Sequence, residues 1–323
     1  MMMKRTHFLF HCVVASAILI ILASCSVRKT IELSLTQATD NVSLFAPGLI
    51  STSGNERDMA ISPEGNGIFY SLSTPDNKMG ALIHLKKQGK KWSAPEVVSF
   101  SGTYRDIEPF FSPDGRKLFF ASNRPLYEGD NSIDYNIWYV MKEEDDWGYP
   151  APVGEIINTD ADEFFPAVGA SGNLYFTAAY QDSKGYEDIY MSRLTTTGYQ
   201  QPVSLDSAVN SPLYEFNAWV SPKEDMIIFT SYGREDDMGG GDLYISRKNN
   251  TGNWLPAEHM RPGINSSSLD YCPFMDIANQ NLYFTSKRGI NSDTVKLPVG
   301  IETLRQISNG ILNGFGNIYL VKL

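Results

Sequence analysis

An acidic residue stands six positions before the turn in each of five related segments: Glu56 before Ser62, Asp106 before Ser112, Glu215 before Ser221, and Glu163 and Asp270 at the matching places. Carboxylates that recur at one position of a repeat are carried to one end of the fold. There they can accept bonds from backbone N–H groups and pair with arginine. Left without enough cations, they repel one another until a metal ion or a basic ligand neutralises them. Arg124, Arg234 and Arg288, each at the end of a later apolar run, reach the same face and could neutralise three of the five. A calcium ion at Asp106, Glu215 and Asp270 is therefore one expectation, since every candidate ligand is an oxygen; a structural network is the other. Two carboxyl groups with separated pKa values could also hydrolyse a glycan, but such chemistry needs acids in unequal settings, and these recur at one repeat position.

Other chemistries find little support. The chain of 323 residues holds 4 His, and only His84 and His259 lie beyond the first dozen residues, so a multi-imidazole site is not expected. There is no G-x-S-x-G, which argues against a serine hydrolase. With 27 Lys and Arg against 37 Asp and Glu, a net charge of −10 and no basic tract of five or more, no cluster of cations would displace phosphate counterions, so nucleic acid is not an expected partner.

The acids must be positioned by short strands. After each turn comes an apolar, aromatic run: Ile68-Phe69-Tyr70, Leu118-Phe119-Phe120, Leu174-Tyr175-Phe176, Ile227-Ile228-Phe229 and Leu282-Tyr283-Phe284. A third strand recurs at Ala81, Asn136, Asp188, Asp242 and Asn317, and an aromatic followed closely by Pro marks a fourth at Trp92, Trp147, Tyr199 and Trp254. Nothing of that kind follows Tyr319, but Phe45 and Pro47 supply one copy ahead of the first repeat. The expected fold is all-β: a β-propeller of five four-stranded blades, with six as the alternative. Residues near Phe45 to Ser51 should close the last blade against Ile318 to Val321, which removes the free sheet edges. The acids should ring the channel mouth, on the face that also carries the acidic loops Tyr127 to Asn131, Asp182 to Glu187 and Glu235 to Gly241. Between Arg288 and Gly316 a long excursion places Leu304, Ile307, Ile311 and Leu312 at spacings a short helix could use.

The segment FSPDGRKLFFASNR followed by NIWYV resembles the WD-like β-propeller repeat of the TolB type, as do the copies ending in EDIYMSR and GGDLYISR, and the likeness covers roughly residues 43–323. It implies a periplasmic binding or scaffolding propeller and little catalysis. The N-terminus reads as an address. Lys4 and Arg5 precede an apolar run from Phe8 to Ile21, and Leu22-Ala23-Ser24-Cys25 resembles a bacterial lipobox. This divides the chain into a lipoprotein signal peptide at 1–24, a tether at 25–42 behind a lipidated Cys25, and one propeller domain at 43–323. By resemblance to lipoprotein sorting signals, Ser26 to Lys29 favour anchoring to the outer membrane, facing the periplasm. The expected partner is an unidentified protein or glycan on the acid-bearing face, with no cofactor unless calcium.

Overall fold

The computed structural model describes residues 30–36, 38–144 and 146–323; the expected signal peptide and Cys25 lie outside them. The chain forms a five-bladed β-propeller. In the first blade the strands run outward as Asn55–Ile61, Gly67–Ser73, Gly80–Gln88 and Glu96–Val97. The second is built from Asp106–Phe111, Lys117–Ser122, Asn136–Met141 and Ala151–Pro152. The third has Glu163–Val168, Leu174–Ala178, Asp188–Ser192 and Val203–Ser204; the fourth has Tyr214–Val220, Met226–Tyr232, Asp242–Arg247 and Glu258–His259.

The fifth blade, Asp270–Asp276, Asn281–Ser286 and Asn317–Lys322, takes its outer strand from the other end of the chain. Ser43 pairs with Leu320 and Leu44 with Tyr319, while the Phe45 N–H donates to the Ile318 carbonyl at 2.8 Å. The closing strand thus lies just ahead of the expected stretch, because Ala46 and Gly48 turn the chain away at positive φ. Ser51 returns to bond both polar groups of Ile318 through its hydroxyl.

Second-strand residues between the blades form the core. Ile68, Leu118, Leu174, Ile227 and Leu282 are wholly buried. Burial of each such side chain contributes about 1.5–3 kcal/mol. Every inner strand is interrupted in its middle by a bulge whose residue has positive φ: Asp58, Glu108, Phe165, Asn217 and Cys272, between 48° and 62°. A bulge frees one N–H from the ladder, and in the first four blades that N–H is handed to a side chain of the preceding blade. Asp58 donates to Thr285, Glu108 to Ser71 and Asn217 to Thr177, at 3.0–3.2 Å.

The segment ahead of the first closing strand, expected as a tether, is bonded to the ring along its described part. Ile31 and Trp92 exchange two backbone bonds of 2.8 Å, the Trp92 indole donates to the Leu33 carbonyl, and Asn281 and Tyr283 both donate to that of Leu35. The excursion in the fifth blade contains the helix Ile301–Ser308, with no buried residue, and Asn313 donates to the Ser53 carbonyl where the excursion returns to the ring.

Candidate functional site

All five acids sit at or next to the first residue of an inner strand and are buried. What surrounds them is a motif of six residues, of which the acid is the last: STSGNE at 51–56, SGTYRD at 101–106, NTDADE at 158–163, NSPLYE at 210–215 and NSSSLD at 265–270. The first residue ties the loop to the third strand of the preceding blade. Asn158, Asn210 and Asn265 each accept from one backbone N–H and donate to the carbonyl of the same residue, Ile137, Ile189 and Leu243, at 2.8–3.1 Å. Ser51 does the same with Ile318, and Ser101 accepts from Leu82. These side chains complete the sheet edge, taking the N–H that the neighbouring backbone leaves free while that backbone also bonds the carbonyl. Sequence reading passed over them, although the recurrence of Asn or Ser five residues before each acid was the signal.

The acid then binds its own loop. Glu215 accepts from the Ser211 N–H and hydroxyl, both at 2.7 Å, and Asp270 does so from Ser266 at the same distances. Glu163 is held by Thr159 and Glu56 by Thr52, while Asp106 accepts from the Ser101 hydroxyl at 2.6 Å. The N–H groups of Glu56, Glu163, Glu215 and Asp270 donate to Gly316, Tyr135, Glu187 and Gly241 of the preceding blade, at 2.7–3.0 Å.

The three arginines pair with the acid of their own blade: Arg124 with Asp106 at 2.5 Å, Arg234 with Glu215 at 2.9 Å and Arg288 with Asp270 at 2.6 Å. Each guanidinium lies over a third-strand ring, Trp138, Tyr244 or Tyr319, 4.6–5.4 Å from its centroid. Each also donates to a carbonyl of the loop before the acid, that of Phe100, Val209 or Ile264. In the third blade Tyr180 takes this place, its hydroxyl donating to Glu163 and to the Ile157 carbonyl, both at 2.9 Å. With a neutral partner instead of a cation, burial pushes Glu163 up to about 7 against the bonds from Thr159 and Tyr180. Burial also raises Glu56, which has no arginine either. Among the described residues no three His, Cys, Asp or Glu come together to hold a metal ion. Asp106, Glu215 and Asp270, the expected calcium ligands, each face the arginine of their own blade instead.

A second polar group lies deeper, on the channel axis, where the bulges point. Arg57 donates to Asp58 at 2.6 Å and to Glu108 at 2.7 Å. The same Glu108 oxygen accepts from Asn217 at 3.3 Å, and its other oxygen accepts from the Phe165 N–H at 2.7 Å. Cys272 donates to Asn217 at 3.4 Å, and Tyr271 lies under the Arg57 guanidinium. Four blades thus meet on Glu108. Burial pushes its carboxyl up to about 7, with Asp58 adding to the rise and Arg57 opposing it. Glu108 replaces a hydroxyl: the second-strand position that bonds the next blade's bulge is Ser71 in the first blade but Ala121 in the second, leaving the Phe165 N–H to the carboxylate. The sequence signal was a polar residue in mid-strand, as in NERDMAI, DIEPFF and YEFNAWV.

The acidic loops are largely closed on themselves. Asp130 accepts from the Leu126 and Ser132 N–H groups, Asp237 from those of Gly233 and Gly239, and Asp182 and Asp236 from the hydroxyls of Tyr190 and Tyr244. His259 pairs with Asp242 at 2.6 Å, and His84 is buried edge-on to Phe69. The face exposes aromatic side chains instead: Tyr127 and Tyr186 are more than 60% exposed, Tyr186 stacks on Tyr214 at 4.6 Å, and Tyr232 lies 6.0 Å beyond.

No family model matches the chain, and neither does any curated protein. Among solved structures it is similar to the catalytic domain of the Coprinopsis cinerea GH62 α-L-arabinofuranosidase, with a TM-score of 0.47 at 11% identity, over 87% of this chain and 97% of that one. The Podospora anserina α-L-arabinofuranosidase in complex with cellotriose gives 0.47 at 12%, over 88% and 97%. A Mycobacterium tuberculosis puromycin-hydrolyzing peptidase gives 0.41 at 11%, over 72% of this chain; the chain spans about a third of that peptidase's length, 34%.

Proposed function

We propose that this chain is a lipid-anchored envelope protein of the TolB-like repeat class, held to the outer membrane through Cys25, whose propeller binds a protein or glycan in the periplasm without transforming it. One observation carries the reading: the carboxylates that could have done chemistry are engaged by their own loops, arginines and neighbouring blades, so what the acid-bearing face offers a partner is its exposed rim. The tyrosines Tyr127, Tyr186 and Tyr232 present flat apolar faces with a polar tip, which suits sugar rings and peptide surfaces alike. Orientation supports it as well. Ile31 meets Trp92 on the opposite face, and the six residues from Cys25 to Ile31 reach at most about 20 Å. An anchor at Cys25 would therefore leave the tyrosine face pointing away from the membrane. The test is capture from envelope extract by the mature protein and by the Tyr186→Ala/Tyr232→Ala variant. A partner retained by the parent and lost by the variant is the expected result; identical capture by both would remove the tyrosine face from the reading.

A second reading, a glycan-active enzyme, draws on the axial pair of Asp58 and Glu108, since a carboxyl group with its pKa near 7 is suited to acid catalysis. Release of reducing ends from envelope glycans by the parent, lost in Glu108→Gln while the melting temperature is kept, would decide for it.

A further inference from the structure

The channel changes character along its length. Its upper level is the polar knot of Arg57, Asp58, Glu108 and Asn217; at the far ends of the inner strands it widens into a cavity of about 430 Å³. Ile61, Phe110, Phe111, Trp219, Phe274 and Met275 form its walls, and Leu35 of the N-terminal segment closes one side. The reason is built into the repeat. Four inner strands end in apolar residues that pack between blades, Ile61, Phe111, Val168 and Val220, and the fifth carries Phe274 and Met275 just before its terminal Asp276. The prolines that follow, Pro63, Pro113 and Pro222, lead the chain away from the axis and bring no N–H to the rim.

A cavity of this size with mostly apolar walls and a few polar groups has the form of a small-molecule site. Its charges are one-sided. Of the described residues that line it only Glu64 and Asp276 are ionisable as acids, and none is Lys or Arg. Glu64 faces Lys142 at 3.5 Å on its outer side, and Asp276 accepts from Asn279. An anionic ligand would bring its charge into an apolar chamber beside two carboxylates with no cation in the wall, whereas indole and phenyl faces with carboxylates at the rim favour a neutral or positively charged guest. We infer that this cavity is a binding site for an uncharged or cationic aromatic small molecule, separate from the tyrosine face and independent of its role.

The experiment uses two probes with one skeleton, N-phenyl-1-naphthylamine, which is neutral, and 1-anilinonaphthalene-8-sulfonate, which adds a single negative charge. Each is titrated into the mature protein with emission excited through tryptophan, since Trp219 is in the wall. The neutral probe should bind saturably at one site, about tenfold or more tighter than the sulfonate. Met275→Trp, at a half-buried wall position, should fill the chamber and weaken the neutral probe by about tenfold or more. Should that variant melt far below the parent, Leu35→Trp fills the cavity from the opposite wall. Glu64→Gln/Asp276→Asn should bring the two probes to within about threefold of each other. Equal affinity of both probes for the parent would overturn the inference, as would neutral-probe binding untouched by a folded filling variant.

Discussion

Tyr180 donates its hydroxyl to Glu163 at 2.9 Å in the place where three other blades put an arginine on the acid. The acid column is therefore not electrostatically uniform around the ring, and Glu56, held by Thr52, has neither partner. Where a guanidinium is present the carboxylate is compensated; where a phenol stands in, burial favours the protonated form.

The pH dependence of stability should reflect this. Glu163 has a folded-state pKa of about 7, above its unfolded value of 4.5. The folded state holds the proton more tightly, so its contribution is fully present below about pH 4.5 and is lost as pH rises through about 7. Glu108, raised to about 7, acts in the same direction. In urea unfolding from pH 5 to pH 8 the parent should lose stability, each of the two groups contributing a slope of at most about 1.4 kcal/mol per pH step of one between its unfolded and folded pKa. Glu163→Gln should show a flatter profile. A variant profile parallel to the parent's would rule Glu163 out as the source.

Removing one member of a buried pair should cost far more than removing both. Arg288→Met leaves Asp270 buried with Ser266 as its side-chain partner, and a loss of about 3–5 kcal/mol is expected. Arg288→Met/Asp270→Asn should recover part of it. Chemical denaturation of the single and double variants reads the coupling directly; strict additivity would show that the pair is not energetically linked.

The sheet-edge asparagines should be structural in a way that their position in loops does not suggest. Asn210→Ala strips the Ile189 N–H of its partner, while the Ile189 carbonyl keeps its bond from the Leu205 N–H, and about 1–3 kcal/mol should be lost for the N–H left buried and unsatisfied. Asn210→Asp restores the acceptor without the donors and should fall between parent and Ala in a thermal melt.

Closure gives an ordered series of truncations. A mature chain lacking residues 26–38 loses the Trp92 and Leu35 bonds and should melt below the parent; one lacking 26–52 also loses the outer strand of the fifth blade and should melt lowest of the three. Coincident melts for the parent and the shorter deletion would show that the N-terminal segment contributes nothing to the ring.

Much of this architecture is local and so can be read along the chain. Turn residues, alternation and strand length mark the strands within a few residues, and the displaced copy at Phe45 announces that the ends must meet. The acid and arginine columns are visible too, because a repeat puts equal residues in equal places. What tertiary structure alone decided are contacts between residues remote in sequence. Whether an acid faces a neighbour's arginine, its own blade's arginine or open channel depends on how sheets twist and pack, and that is not encoded in spacing. Ring closure brings Arg57, Glu108, Asn217 and Cys272 onto one axis across as many as 215 positions, and the left-handed bulges that turn them there arise where the ladder slips rather than from any glycine. The cavity below them exists because five strand ends, largely apolar for packing between blades, come together around an axis that no single repeat contains.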